Sequence, residues 1–296
     1  MIQNYRNDHV VEMFLDENFY VDVIDDLSTG KLSNLPDHEN LDFNKIDIRD
    51  TSRLFKCFNS KSPDIVIHLA AAHFIPWCND HPVETTEINL MGTRNILNAC
   101  RSINPELLFF ASTAAVYPIN DEKNMEDDEV GPMDIYGITK VMGEDLCKLL
   151  YFETEVDVAV GRLFNIYGPR ETNPHVIPEI VEQLNNNNTT IELGNIEPKR
   201  DFIFVDDVAR AILMICKGFD DGFEIFNIGT GEEYSIKELV DIFELIIGRK
   251  INISQSRKRM RKSERMHLVA DIERIEQTIG WAPKVNIREG LEGLLK

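Results

Sequence analysis

The 296-residue sequence is poor in positive charge: 31 lysines and arginines stand against 51 aspartates and glutamates, which leaves a formal net charge of −20 at pH 7. Such a chain would be repelled by a nucleic-acid backbone and by an anionic membrane surface, so we expect neither as a partner. The sequence also lacks an apolar run of the ~18 residues that a membrane-spanning helix needs. No signal-peptide pattern follows Met1.

Cysteine is scarce as well. The five cysteines are odd in number and show no C-x-x-C or metal-ligand spacing; they are Cys57, Cys78, Cys100, Cys147 and Cys216. This pattern indicates buried thiols in a reducing compartment, so we expect a cytoplasmic protein with no disulfide and no zinc site. With 43% hydrophobic residues, the chain can bury a full core and carry one smaller lobe.

The first half of the chain alternates strand-like apolar runs with segments of helical periodicity. The predicted strands are 20–24, 64–69, 107–112 and 157–164, and the predicted helices are 50–59, 86–103 and 135–152. This alternation is typical of a parallel sheet wrapped by helices on both faces. After a polar loop at 184–190 the pattern becomes mixed, with strands near 190–193 and 251–253 and helices near 205–216, 235–247 and 271–279.

Tyr136 and Lys140 lie four residues apart in a segment of helical periodicity, so both side chains can face one cleft. An unperturbed tyrosine, with a pKa near ~10, is neutral at pH 7 and is a poor base. A fixed positive charge nearby favours the phenolate, and Lys140 could supply that charge. Ser112 and Thr113 follow the buried run 107–111, at the strand end where open α/β sheets place their sites. Together these residues predict a site for proton transfer.

Seven segments of the sequence occur in the same order as the motifs of one enzyme family. They are 23–30, 65–72, 87–93, 112–117, 162–169, 200–209 and 226–229. With Tyr136 and Lys140, they resemble the extended short-chain dehydrogenase/reductase family, and within it the NAD-dependent nucleotide-sugar epimerases and dehydratases of the UDP-glucose 4-epimerase type. The resemblance implies a Rossmann-like, doubly wound parallel sheet with a smaller mixed α/β lobe. It assigns residues 1–166 to NAD binding and 167–296 mainly to substrate binding, with some segments returning to the main sheet.

The residues expected to bind the cofactor begin with Asp25. It ends a predicted strand, where a carboxylate can accept hydrogen bonds from both ribose hydroxyls and would repel a 2′-phosphate, so NAD is preferred over NADP. The resemblance implies further NAD contacts at Asp26, Ser28, Asp47, Ile48, Leu69, Ala70, Ala71, Asn89, Tyr136 and Lys140. Of these, Asp47 and Ile48 would contact the adenine.

The resemblance also implies how a nucleotide sugar is held. Thr113 would hydrogen-bond the reacting sugar hydroxyl, with Ser112 as the weaker candidate. Arg200 and Arg261 would bind the substrate diphosphate, because guanidinium groups present paired donors to phosphate oxygens, and Asn165 would add a neutral donor. We expect a structural rather than a catalytic role for His73, which follows the alanine loop.

Ala114 and Ala115 stand where the family's 4,6-dehydratases carry an acid and base pair, and two methyl groups cannot eliminate water. We therefore expect an NAD-dependent nucleotide-sugar epimerase in which Tyr136 is the base and a hydride is removed and returned at one sugar carbon, C4. A nucleotide-sugar reductase or dehydrogenase, and a non-catalytic sugar-nucleotide-binding homologue, remain open alternatives. In similar proteins the helices 86–103 and 135–152 form a dimer face, which predicts a homodimer.

One departure from the family is large: the sequence has no counterpart of its first strand and G-x-x-G-x-x-G turn, whose glycines let the backbone approach the cofactor pyrophosphate. Met1, Asn4 and Asn7 stand where those glycines should be. The missing strand belongs between the strands ending at Ile24 and Leu69, so we expect two buried strand edges without partners and impaired NAD binding. A start codon placed too late, a fragment or a degenerate copy would each explain this departure, and we favour truncation of an ordinary enzyme.

Overall fold

The computed structural model describes residues 5–186, 189–256 and 265–295. The helices are α1 Tyr5–Asp16, α2 Thr51–Lys61, α3 Ile75–Asp80, α4 Pro82–Thr86, α5 Thr93–Ile103, α6 Ile135–Glu153, α7 Val176–Asn185, α8 Val205–Gly218, α9 Ile236–Ile247, α10 Glu273–Ile279 and α11 Ile287–Gly293. The strands are β1 Val21–Asp25, β2 Leu41–Lys45, β3 Ile65–His68, β4 Leu107–Thr113, β5 Asp157–Leu163, β6 Asn165–Tyr167, β7 Thr190–Leu193, β8 Lys199–Arg200, β9 Phe202–Phe204, β10 Phe223–Ile228, β11 Tyr234–Ser235 and β12 Asn252–Gln255.

The main sheet consists of parallel strands in the order β10-β5-β4-β3. Every residue of β4 is buried, because helices cover both faces of the sheet. Leu108 and Phe110 pack under α5 and α6, whereas Phe109 and Ala111 pack under α1 and α8. The carboxyl ends of β3, β4 and β5 therefore meet at one edge of the sheet, between two helical layers.

β1 and β2 form a separate parallel pair. Within the described residues no ladder of hydrogen bonds joins β1 to β3, although Ile24 of β1 and Val66 of β3 pack in the same apolar core. The parallel arrangement is thus interrupted between these two strands. The interruption lies where the sequence predicts the missing strand, and it leaves one edge of β1 and one edge of β3 without a strand partner in the described part of the chain.

The residues after β6 build smaller pairs of strands and also return to the main sheet. β6 pairs with β9, β7 with β12, and β8 with β11. Together with α7, α9 and α11, they enclose an apolar cluster that includes Ile180 and Phe243. In contrast, β10 extends the main sheet beside β5, and α8 packs on α1.

The predicted elements of the first half agree with the structure to within two residues at each end, except at 86–103, where helical backbone already begins at Pro82 and passes through a π-helical turn at Glu87–Gly92. The predicted loop 184–190 is wrong at its start, because α7 continues to Asn185. Residues 187–188 of that loop lie outside the described residues. The sequence reading missed β2, whose five residues include the polar Asp42 and Asn44.

The described ranges contain neither a candidate membrane span nor a disulfide nor a candidate metal cluster. None of the helices there is both long enough and apolar enough to span a bilayer. The five cysteines are all free thiols. No group of three or more histidine, cysteine, aspartate or glutamate side chains in those ranges is placed to hold a metal ion.

Candidate active site

A small cavity lies at the carboxyl edge of the main sheet. Leu69, Ser112 and Leu163 contribute to its wall from the ends of three neighbouring strands or the turns that follow them. Its polar wall also includes His73, Tyr136 and Lys140. The cavity therefore occupies the position at which open α/β sheets bind their ligands.

Tyr136 and Lys140 reach this cavity from the first two turns of α6. The helix begins at an N-cap, Asp134, whose Oδ1 accepts a hydrogen bond from Gly137 N at 2.8 Å. A Cβ on Gly137 would lie 2.6 Å from Ala115 O, so glycine allows the helix to approach the turn after β4 closely. Tyr136 is 7% exposed and Lys140 is 2% exposed. The spacing of four thus places both side chains in one buried wall, as the sequence predicts.

The ammonium of Lys140 is held at the end of the central strand. Lys140 Nζ donates to Ala111 O at 2.7 Å and lies 4.8 Å from the ring centroid of Phe110. Burial and the Lys140 charge hold the pKa of His68 well below its usual value, so that imidazole is neutral. A cation fixed in a site that excludes water favours a neighbouring phenolate over the neutral phenol.

Ser112 and Thr113 point in different directions, as successive residues of a strand must. Ser112 lines the cavity, and its Oγ donates to Glu144 Oε1. Thr113 is not part of the cavity wall; its Oγ1 accepts a hydrogen bond from Ala115 N at 3.2 Å and caps the turn that follows. Of the two predicted hydroxyls, the structure brings the weaker candidate into the cavity.

Asp25 has the geometry expected of a ribose-binding carboxylate. It ends β1, is 1% exposed, and accepts a hydrogen bond from Leu27 N at Oδ1. Its Oδ2 is buried without a hydrogen-bond partner in the described part of the protein. Burial raises the pKa of the Asp25 carboxyl above its usual value. A buried acceptor left open at the end of a strand fits the hydroxyls of an NAD ribose. The neighbouring turn is closed by Ser28 N, which donates to Asp26 Oδ1 at 2.9 Å.

Asn89 fixes the loop between β3 and the cavity. Its Oδ1 accepts from Ala72 N at 2.7 Å, and its Nδ2 donates to Ala72 O at 2.8 Å and to Thr139 Oγ1 at 3.1 Å. This three-way contact joins the loop to α6. It holds Leu69 and Ala71 in the cavity wall, with Ala70 buried between them. The predicted cofactor loop therefore adjoins the predicted catalytic pair.

The predicted adenine contacts lie beyond β2. Ile48 is buried, and a Cβ on Gly92 would lie 2.2 Å from Ile48 Cδ1, so the π-helical turn before α5 packs closely on this residue. The Asp47 carboxylate pairs with Arg49, whose Nη2 donates to Oδ2 at 2.6 Å. These contacts leave Asp47 on the surface rim and Ile48 beneath it.

The first turn of α1, which would face the cofactor pyrophosphate, contains one acidic residue, Asp8, and one basic residue, Arg6. Asp8 lies in its first turn, and burial raises the pKa of this carboxyl to about 6. A helix N-terminus attracts anions through its free N–H groups, but a carboxylate in the first turn repels a phosphate and weakens that attraction. Residues 1–4, with the predicted glycine positions Met1 and Asn4, lie outside the described residues. Asp25, Tyr136 and Lys140 thus fit the ribose and nicotinamide ends of NAD, whereas the buried Asp8 carboxyl in the first turn of α1 does not favour a phosphate nearby.

Among the described residues, none of the predicted substrate-binding residues Thr113, Asn165 and Arg200 lines this cavity. Arg200 Nη1 donates to Lys199 O and Arg265 O, at 2.6 and 2.8 Å. Asn165 begins β6, and its N donates to Asp201 O. Arg261 lies outside the described residues. The sequence reading missed Arg265, which is 8% exposed and whose Nη2 donates to Ala115 O at 3.0 Å; its only signal is its place just after the basic run 257–262.

His73 and the pair of Glu144 with Arg162 lie at or behind the cavity wall, and the role of His73 stays a prediction. His73 lines the cavity, and its Nε2 lies 3.1 Å from Asn173 Nδ2. Glu144 and Arg162 form a buried ion pair behind the cavity wall. Arg162 belongs to the segment 162–169, and Glu144 follows Tyr136 by eight residues, but neither position signals that the two side chains meet.

Comparison with known proteins shows which family has this sequence and fold. Residues 7–229 match the NAD dependent epimerase/dehydratase family. The chain belongs to this family. A relative, the UDP-glucose 4-epimerase of Mycolicibacterium smegmatis, is 30% identical over 296 residues, which cover 95% of this chain and 91% of the relative.

Solved structures of family members show the same fold. The UDP-glucose 4-epimerase of Thermus thermophilus in complex with NAD matches with a TM-score of 0.89 and 28% identity, covering 98% of this chain and 94% of that one. The UDP-glucose 4-epimerase of Thermotoga maritima with UDP-glucose matches with the same TM-score, 0.89, and 27% identity, again covering 98% and 94%. The predicted Rossmann-like α/β fold with a parallel sheet is thereby confirmed.

Proposed function

We propose that this protein is an NAD-dependent nucleotide-sugar epimerase that inverts a sugar carbon, C4. The observation that carries the proposal is the convergence of Tyr136 and Lys140 in one buried cavity at the carboxyl edge of the main sheet. The family and its UDP-glucose 4-epimerase members support the reaction class. The adjacent Ala114 and Ala115, which carry no acid or base, argue against a dehydratase.

In this proposal Tyr136, as the phenolate, takes the proton from the sugar hydroxyl and later returns it. Lys140 favours the phenolate and orients the nicotinamide ribose. Thr113 or Ser112 donates to or accepts from the reacting oxygen. Bound NAD supplies a reversible hydride acceptor, so that the reaction as a whole involves no net oxidation. The apolar wall, which includes Leu69 and Leu163, excludes water from the site.

The remaining predicted site residues divide between the two ligands. We assign to NAD the residues Asp25, Asp26, Ser28, Asp47, Ile48, Leu69, Ala70, Ala71 and Asn89. We assign to the nucleotide-sugar diphosphate the residues Asn165, Arg200 and Arg261. This division supports a cofactor half at residues 1–166 and a mainly substrate-binding half at 167–296, from which β10 and α8 return to the main sheet.

We also propose that the protein forms a homodimer through the outer face of α6. Ile138, Met142, Leu149 and Phe152 are 38%, 45%, 45% and 70% exposed, and they form an apolar stripe opposite the face that carries Tyr136. Such a stripe on a helix is more stable when a second copy covers it. The free thiols further support a reducing compartment, the cytoplasm.

A panel of UDP-, GDP-, dTDP- and CDP-sugars, incubated with the protein and NAD, tests the proposed reaction. We expect NMR to show conversion of at least one sugar to its C4 epimer, with no accumulation of NADH absorbance. Steady formation or consumption of NADH would instead establish a reductase or dehydrogenase. Bound NAD with no sugar converted would favour the non-catalytic homologue.

A further inference from the structure

Glu144 and Arg162 form a bidentate ion pair behind the cavity wall. Arg162 Nη2 donates to Glu144 Oε2 at 2.8 Å, and Arg162 Nε donates to Oε1 at 3.1 Å. The side chain of Arg162 is 4% exposed, and that of Glu144 is 8% exposed. Ser112 Oγ also donates to Glu144 Oε1. The pair therefore ties α6 to the carboxyl ends of both β4 and β5.

Glu144 lies on the same face of α6 as Tyr136 and Lys140, at intervals of four residues. A rotation or a shift of α6 against β4 would move all three side chains together. Close packing supports the same position, since a Cβ on Gly143 would lie 2.6 Å from Phe110 Cζ. The anchor at Glu144 consequently determines where the phenol and the ammonium enter the cavity.

Arg162 is held in turn by contacts on its other side. Its Nη1 donates to Tyr117 Oη at 3.0 Å and to Glu126 O at 2.9 Å. Tyr117 Oη donates to Asn227 Oδ1 of β10 at 2.7 Å. The guanidinium therefore has a fixed orientation, and its charge stays next to Glu144.

Stability alone does not account for this pair. Removing two charges from water is unfavourable, and apolar residues of similar volume often stabilise a core as well as a buried ion pair does. The charge balance suggests another role. Without Arg162, the carboxylate of Glu144 would lie one helical turn from Lys140 and would offset the positive potential that favours the phenolate.

We propose that Arg162 is a positioning residue for Tyr136 and Lys140: it anchors Glu144, which fixes the catalytic face of α6, and it neutralises Glu144, which preserves the positive potential of Lys140 in the cavity. This inference rests on the proposed roles of Tyr136 and Lys140. Arg162 acts only through Glu144 and does not contact the substrate.

Other titratable or charged groups also surround this helical face. They are His68 of β3, His73 of the loop after it, Cys78 of α3, Tyr117 after β4, Asp134 and Cys147 of α6, and Arg265 beside Ala115. The test compares variants in which all of these groups are unchanged, so a difference between the variants reports on Glu144 and Arg162.

The test is the pH titration of Tyr136 in Glu144→Gln and in Arg162→Met. Tyrosinate absorbance monitors the titration, and Tyr136→Phe serves as the reference that identifies the signal of Tyr136. The dependence of kcat and KM on pH is measured for the same variants. Eight residues of helix separate Glu144 from Tyr136 by ~12 Å. At an effective dielectric constant of ~20, one unit charge at that distance moves the titration by about 0.5–1 pH unit. We expect a downward shift in Glu144→Gln, which leaves the cation alone, and an upward shift in Arg162→Met, which leaves the anion alone.

The double variant Glu144→Leu/Arg162→Met removes both charges. We expect its Tyr136 titration to return towards that of the unmodified protein, while kcat stays lower by about 10- to 100-fold with little change in KM, because the anchor is lost. Glu153→Gln changes a residue of α6 and breaks its more exposed pair with Arg101 of α5; it is the control and should shift neither quantity.

An unchanged or raised Tyr136 titration in well-folded Glu144→Gln, or a double variant whose titration stays shifted as far as that of Glu144→Gln, would overturn the inference, whether or not Arg162→Met folds. The absorbance titration separates this outcome from a failure of the proposed function. If the shifts occur but no nucleotide sugar is converted, the positioning role stands and the proposed reaction fails. If the protein is an active epimerase and the shifts are absent, only the positioning role fails.

Discussion

At the scale of single residues, the proposed chemistry depends on how α6 meets the end of β4. Lys140 donates to Ala111 O at 2.7 Å, which fixes the ammonium beside the cavity that Tyr136 also lines. A phenol in this position can act as a base only if its ionised form is favoured, and a fixed cation supplies that preference. The chemistry thus resides in two buried side chains of α6, which lie at the end of the buried strand β4.

Replacing Tyr136 with phenylalanine tests the proposed base. Because general-base catalysis contributes about 10²–10⁴-fold to a rate, we expect kcat to fall by that factor, with the melting temperature almost unchanged. Tyr151→Phe makes the same change on the same helix outside the cavity wall and should leave the rate intact. Comparable rates for the two variants would rule out Tyr136 as the base.

Asp8→Asn tests a buried carboxyl at the start of α1. Burial raises the pKa of Asp8 from 3.8 to about 6, so the folded protein holds this proton more tightly than the unfolded chain. Stability should therefore fall as pH rises from about 4 to 6. We expect Asp8→Asn to raise the free energy of unfolding by about 1–3 kcal/mol at pH 7.5 and to have little effect at pH 4.

Urea unfolding at the two pH values measures this difference. Asp16→Asn, at the exposed end of the same helix, is the matched control and should change stability little at either pH. A gain of equal size at pH 4 and pH 7.5 would contradict the assignment of a raised pKa to Asp8.

At the scale of elements, local pattern and long-range packing contribute differently. The strand β4 and the helix α6 could be predicted almost to the residue, because a buried apolar run and a helical period are local signals. The same spacing rule predicts that Tyr136 and Lys140 share a face. The Glu144–Arg162 contact could not be predicted, because it depends on the position of α6 against β5, which no local pattern encodes.

The order of the motifs predicted the chemical type of the site but not the direction in which every side chain points. Asp25 ends β1 with an open acceptor, as its position suggests. Thr113 was preferred over Ser112, yet the alternation of strand side chains and the turn at Ala115 place Ser112 in the cavity wall. The roles of both hydroxyls in binding a sugar stay predictions.

The apolar stripe on α6 carries a prediction about assembly. Phe152→Asp should disrupt the proposed homodimer, because a charge would be buried between two copies of the helix. Leu245→Asp is the control, since Leu245 on α9 is 69% exposed and Phe152 is 70% exposed. Sedimentation velocity should show a dimer for the control and a monomer for Phe152→Asp; monomers in both samples, and in the unmodified protein, would exclude the dimer.

At the scale of the whole molecule, the most unusual feature is the interruption between β1 and β3. In the described residues β4 and β5 each have two strand neighbours, whereas β1 pairs only with β2. Regions with fewer cooperative hydrogen bonds open more often. The interruption should therefore divide the fold into parts of unequal local stability.

Hydrogen exchange followed by mass spectrometry tests this division. We expect the amides of β1 and β2 to be less protected than those of β4 by at least about tenfold. β5, which also has strands on both sides, is the internal control and should resemble β4. Equal protection in β1 and β4 would show that the interruption does not weaken the sheet.

The central claim, reversible hydride removal at one sugar carbon beside Tyr136 and Lys140, is tested most directly with UDP-glucose that carries deuterium at C4. After incubation with the protein and NAD, NMR should find the deuterium still at C4 in the epimer, since the same hydride is removed and returned. Loss of the deuterium to solvent, or an epimer formed at another carbon, would contradict the account.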